Sequence, residues 1–134
     1  MFVGFTDNIA LEAPVISAAS ANTVTTNATD AVGFMFDTRM STVNWWLTGV
    51  ANDVDATMQN STFAPVANTF ETLRVEVTPA GKASFFRNGK PVGTLMAGAL
   101  TPATLLTPCL YAGKLSTATT MTVDYDYVYA AMNR

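Results

Sequence analysis

Residues 69–95 read TFETLRVEVTPAGKASFFRNGKPVGTL, and this stretch decides the fold. Leu73, Val75 and Val77 alternate with Arg74, Glu76 and Thr78, the period-2 pattern of a strand with one buried and one wet face. Pro79-Ala80-Gly81-Lys82 supplies turn residues, and residues 83–87 return as a second strand. Asn88-Gly89 then places two residues that tolerate positive φ where a two-residue type I′ hairpin needs them. Residues 90–95 complete a three-stranded antiparallel meander.

The same punctuation continues outward. Strands are expected at 2–6, 15–17, 24–25, 31–37, 44–51, 57–59, 106–114 and 119–130, separated by Gly, Pro, Asn and Asp. No helical period is convincing. Residues 10–21 have a helix-like share of alanine but include Pro14, serines and β-branched residues. Short strands at regular spacing imply an all-β antiparallel sandwich. The whole chain, 1–134, reads as a single domain large enough for its own core. The Ala/Ser/Thr/Asn-rich zone 17–29 is expected to be a surface loop or edge hairpin. In the last expected strand Met121, Val123, Tyr125, Tyr127 and Tyr129 share one face, predicted to pack into the core.

Composition limits function. The chain is 49% hydrophobic and 13% charged, about half the usual charged share, yet no apolar run approaches the roughly 18 residues of a membrane span. The uncharged surface therefore points to contact with other protein, as in a homo-oligomer or larger assembly. Net charge is −3 and the seven basic residues are scattered, which argues against nucleic acid as a partner. No membrane partner is expected either. There is no histidine and one cysteine, so histidine acid/base chemistry, a disulfide framework and a multi-cysteine metal site are excluded. Cys109, between Pro108 and Leu110, is expected to be a buried small hydrophobe. The first residues carry no positively charged leader pattern. The sequons at Asn27 and Asn60 are the chance matches expected of an Asn- and Thr-rich chain.

The meander, with FVGFTDN at 2–8, DAVGFMFDT at 30–38, NWWLTGVAND at 44–53, LTP at 106–108 and VDYDYV at 123–128, resembles concanavalin A-like lectin/glucanase (laminin G-like) domains. It is most similar to those of tailed-bacteriophage structural proteins. The resemblance implies a jelly-roll sandwich. It implies a virion role on the particle surface: a capsid decoration or cement protein whose partners are the major capsid protein or sister subunits. It also implies an alternative, a carbohydrate-binding module or a tail or head fibre subunit that recognises a host-surface glycan. Domains of this kind carry a strand before the segment similar to FVGFTDN. This segment is therefore expected either to leave an open strand edge or to pair with a strand from another subunit, which puts Phe2 and Phe5 at an interface, where they or a neighbouring strand meet another polypeptide.

Asp124 and Asp126 lie two apart on one strand face. The glycosidase signature of the fold is a Glu cluster, and Glu12, Glu71 and Glu76 do not form one, so no catalytic residue and no cofactor is expected. Asn52, Asp53 and Asp55 form an Asx-rich loop where calcium is conceivable, but it lacks the Gly and terminal Glu of an EF-hand, and no metal site is assigned. Trp45 alternates into the core. Trp46, with Asn44 and Thr48, is the candidate glycan platform, its ring stacking on a sugar. Arg74, Arg87 and Lys90 are expected to form cross-strand ion pairs with Glu71 and Glu76 on the outer face of the meander.

Overall fold

A computed structural model describes residues 1–9, 13–114 and 122–131. Its eleven strands are β1 (Phe2–Thr6), β2 (Ile16–Ser20), β3 (Thr23–Thr26), β4 (Ala31–Met35), β5 (Trp46–Ala51), β6 (Val54–Asp55), β7 (Gln59–Asn60), β8 (Leu73–Val77), β9 (Ala83–Arg87), β10 (Lys90–Met96) and β11 (Thr107–Tyr111). There is no helix among the described residues, and every strand pairing is antiparallel. The chain is an all-β sandwich.

The meander forms as its sequence dictates. β8, β9 and β10 make a three-stranded sheet in the order β10-β9-β8. Asn88 and Gly89 have φ of 50° and 77°, and Arg87 pairs with Lys90 across them, the geometry of a two-residue hairpin. In the turn before β9, the Gly81 amide donates to the Thr78 carbonyl at 2.9 Å and the Thr78 amide to the Lys82 carbonyl at 2.9 Å.

The second sheet runs β11-β1-β4-β5-β6, with β7 sharing the far side of β5. Its central strands are covered on both faces, which is why β4 and β5 are buried along nearly their whole length rather than at alternate residues. On one face Val32, Phe34 and Leu47 meet Phe85, Val92 and Met96 of the meander. Phe34 stands edge-on to Phe85 at 5.4 Å and to Trp45 at 6.2 Å. On the other face Phe2, Met35, Trp46 and Val50 meet Ile16 and Ala18 of the β2–β3 hairpin. The zone 17–29 thus holds a hairpin, but one that lies over a face of the sheet rather than along its edge, and its inner residues close a second core. Gly4 and Gly33 are paired directly across β1 and β4. A Cβ on Gly33 would sit 2.4 Å from the Val3 carbonyl oxygen, so glycine is required there.

Two expectations are corrected. The last strand does not form over the described part of its span. Residues 122–131 make no strand, residues 119–121 lie outside the described residues, and Tyr125, Tyr127 and Tyr129 are 67%, 71% and 78% exposed rather than in the core. Alternation alone does not bury a strand when no neighbour pairs with it. Second, β1 is not an edge. It is paired on one side with β4 and on the other with β11, and Phe2 is fully buried, so the β1 backbone offers no free side to another chain. The edge is the neighbouring strand, β11.

Candidate functional site

The β9–β10 hairpin and the loop before β8 enclose a cleft of about 330 Å³, lined by Phe63, Arg87, Asn88, Lys90, Pro91 and Val92. The hairpin is tied to the start of β8 because Asn88 bonds to Thr72 twice. Its amide donates to the Thr72 carbonyl, and its Oδ1 accepts from the Thr72 amide, both at 2.8 Å. Arg87 is held from behind. Its Nη2 donates to Glu71 Oε1, and Glu71 Oε2 accepts from Trp45 Nε1 at 3.1 Å. Glu71 is nearly buried. Its hydrogen bond, and secondarily its charge, raise the Arg87 pKa above the usual value against the effect of burial. The guanidinium also lies over the Phe63 ring, 4.7 Å from its centre. Because Glu71 neutralises Arg87, the cationic group left to the cleft is Lys90, which forms no ion pair among the described residues. The cleft sets apolar groups of Phe63, Pro91 and Val92 beside one ammonium and hairpin polar groups. That suits holding a small ligand or a side chain of a partner.

The structure puts the sequence-predicted residues elsewhere. Trp46 is 8% exposed, packed on the hairpin side of the central sheet, with Nε1 donating to the Thr42 carbonyl at 3.2 Å. Its ring is covered by its own chain, so no open face is left to stack on a sugar. Thr48 is buried and donates to the Gly33 carbonyl at 3.0 Å. Asn44 is bonded to Asn60 Oδ1 at 3.0 Å. None of the three lines the cleft. Phe5 is half-buried against the meander-side core.

Asn52 and Asp53 have φ of 50° and 62° and form the two-residue turn between β5 and β6. Asp55 accepts from Thr26 Oγ1 at 2.8 Å. No cluster of three or more His, Cys, Asp or Glu suited to a metal occurs among the described residues. Asp124 and Asp126 are exposed and stand on no strand. Neither meander ion pair is cross-strand as expected: Arg87–Glu71 joins the inward phase of β9 to the loop before β8, while Arg74–Glu76 lies along a single strand, with Arg74 also 4.0 Å over the Phe86 ring. Cys109 is a free thiol, half-buried beside the Phe2 core, and burial pushes its pKa up. Sequence reasoning missed Phe63, which sits in a loop with no period. The hairpin half of the cleft was visible as Arg87-Asn88-Gly89-Lys90-Pro91.

No protein-family model, curated protein or solved structure matches the chain.

Proposed function

We infer that this chain is a non-enzymatic structural subunit of a tailed-bacteriophage virion, displayed on the particle surface as a capsid decoration or cement protein. The observation that carries an assembly role is the exposed apolar surface. Leu105 is 90% exposed and Phe70 73%, alongside the three tyrosines of 122–131, on a chain with few charges to keep copies apart. Each of these groups gains free energy when another surface covers it. The resemblance to lectin-like phage domains, with its jelly-roll topology, supplies the viral context. A subunit that binds only the assembled shell adds its binding free energy to that state alone and so stabilises the head. The partners on this reading are the major capsid protein and sister subunits.

The test is to label purified tailed-phage particles with antibody to the chain, and to rebind purified chain to shells stripped of it. Regular surface labelling and saturable rebinding are expected. Absence from the particles and no rebinding would overturn the reading.

The glycan alternative keeps one observation, the Phe63 cleft with Lys90 and Asn88 at its rim. Saturation-transfer NMR with host-surface oligosaccharides separates the two. Transfer lost on Phe63→Ala favours the glycan role.

A further inference from the structure

Three features of the molecule bear on one another: guarded edges, a slot, and an unpaired strand-like segment. The outer edges of the two main sheets differ. Thr6 and Phe2 pair with Thr107 and Tyr111, while Met1 and Asp7 bond toward β4 and its flanks. By alternation, Thr107, Cys109 and Tyr111 bond inward and Pro108 faces the free edge of β11. Proline has no N–H, so that edge cannot carry a continuous ladder. On β10, Pro91 faces outward by the same alternation, and the Thr94 amide and carbonyl are capped by the Gln59 side chain at 2.7 and 3.2 Å. β6 and β7 have two residues each. β8 is different. Thr72 and Thr78 bond toward the β9 side, so the amides and carbonyls of Leu73, Val75 and Val77 point to the open edge, with no proline and, among the described residues, no cap. Natural sheets rarely leave such an edge free.

Beside β8 lies a slot. Three meander strands face a wider sheet, and β8 lies over β1 and β4. The side chains beyond it, Val3, Phe5 and Leu110, are only half-buried, and Val77 is 40% exposed. A fourth strand beside β8 would cover them.

Residues 122–131 have the pattern of that strand and are not in it. Val123, Tyr125, Tyr127 and Tyr129 share one face, and the three rings are exposed. We propose that the β8 edge receives the 123–129 segment of a second copy of this chain, so that two subunits exchange strands reciprocally, with Val123 and the tyrosines covering the slot. A second copy is favoured by the area. A covered tyrosine buries about 150 Å². Three rings from each copy, with the slot surface they cover, hide on the order of 1,500 Å², within the class of stable interfaces at about 1,600 Å². The proposal rests on the assembly role and names its first partner.

Sedimentation of the full chain at tens of micromolar is expected to give a dimer, with slow hydrogen exchange at Leu73, Val75 and Val77. Tyr125→Ser/Tyr127→Ser/Tyr129→Ser alters only exposed side chains, and Val77→Pro removes an outward-facing N–H. Both should sediment as monomers with an unchanged circular-dichroism spectrum, and the triple variant should exchange those three amides at least tenfold faster. A wild-type monomer overturns the proposal. If the three amides are nonetheless protected, the slot is filled by the chain's own segment. A dimer that survives the tyrosine substitutions also overturns it, since the contact is then elsewhere. Shell binding by a chain that proves monomeric would leave the assembly role standing while the strand exchange fails.

Discussion

Asp37 ties the β2–β3 hairpin to the central sheet. Its carboxylate accepts from the Ala18 amide at 2.9 Å, from the Arg39 amide at 3.0 Å, and from Arg39 Nε and Nη2 at 3.1 and 2.8 Å. Burial opposes its charge, but those hydrogen bonds outweigh burial and hold its pKa at about 2. A carboxylate depressed in the folded state stabilises it above the unfolded value, near 4, and loses that contribution as pH falls toward 2. The contribution is of order 1–2 kcal/mol at neutral pH. Urea midpoints measured from pH 6 down to 2.5 are expected to fall, and Asp37→Asn to start lower and fall less steeply. Equal slopes would remove Asp37 from the acid response. Glu71 sets a second expectation. Glu71→Gln keeps the shape and removes the charge opposite Arg87, so stability should drop by about 1–3 kcal/mol, less than for a fully buried pair because Arg87 is partly wet. Glu76→Gln at the exposed Arg74 pair should cost no more than about 0.5 kcal/mol.

At the scale of elements, the free edges are held back by particular prolines. Replacing Pro108 by Thr restores an outward N–H on β11, and light scattering should then show stronger concentration-dependent association than in the wild type. The strands themselves were legible where a local signal existed. Asn88-Gly89 announces its own turn, and Leu73, Val75 and Val77 announce a half-buried face, so the meander follows from the sequence. β6 was not legible, because two residues after a turn leave no period to detect. The 123–129 segment misled for the opposite reason: its alternation is regular, but burial depends on a neighbour that local pattern does not specify. Trp46 shows the same limit. That it faces away from Trp45 follows from alternation, but not that the β2–β3 hairpin closes over it, because that contact joins residues far apart in sequence. Phe63 reaches the cleft through a loop that carries no pattern at all.

For the whole molecule, the burial of Phe2 changes how attachment to a shell must be tested. A carboxylate at position 2 would be placed inside the core and unfold the chain, so loss of binding by Phe2→Asp would say nothing about an interface. The exposed residues give a clean test. Leu105→Asp with Phe70→Asp adds charge at two solvent-facing positions, where stability should stay within about 0.5 kcal/mol of wild type. If these side chains contact the shell, their burial contributes about 25 cal/mol per Å² before association costs are subtracted. Two large side chains then matter to a single attachment by roughly 2–5 kcal/mol. Repeated copies on a shell compound the loss through avidity. The double variant is therefore expected to remain folded by circular dichroism, to keep its thermal midpoint, and to bind stripped shells at least tenfold more weakly in a co-sedimentation titration. Unchanged shell affinity in a folded double variant would remove these two side chains from the contact and leave the strand-exchange surface to carry the assembly.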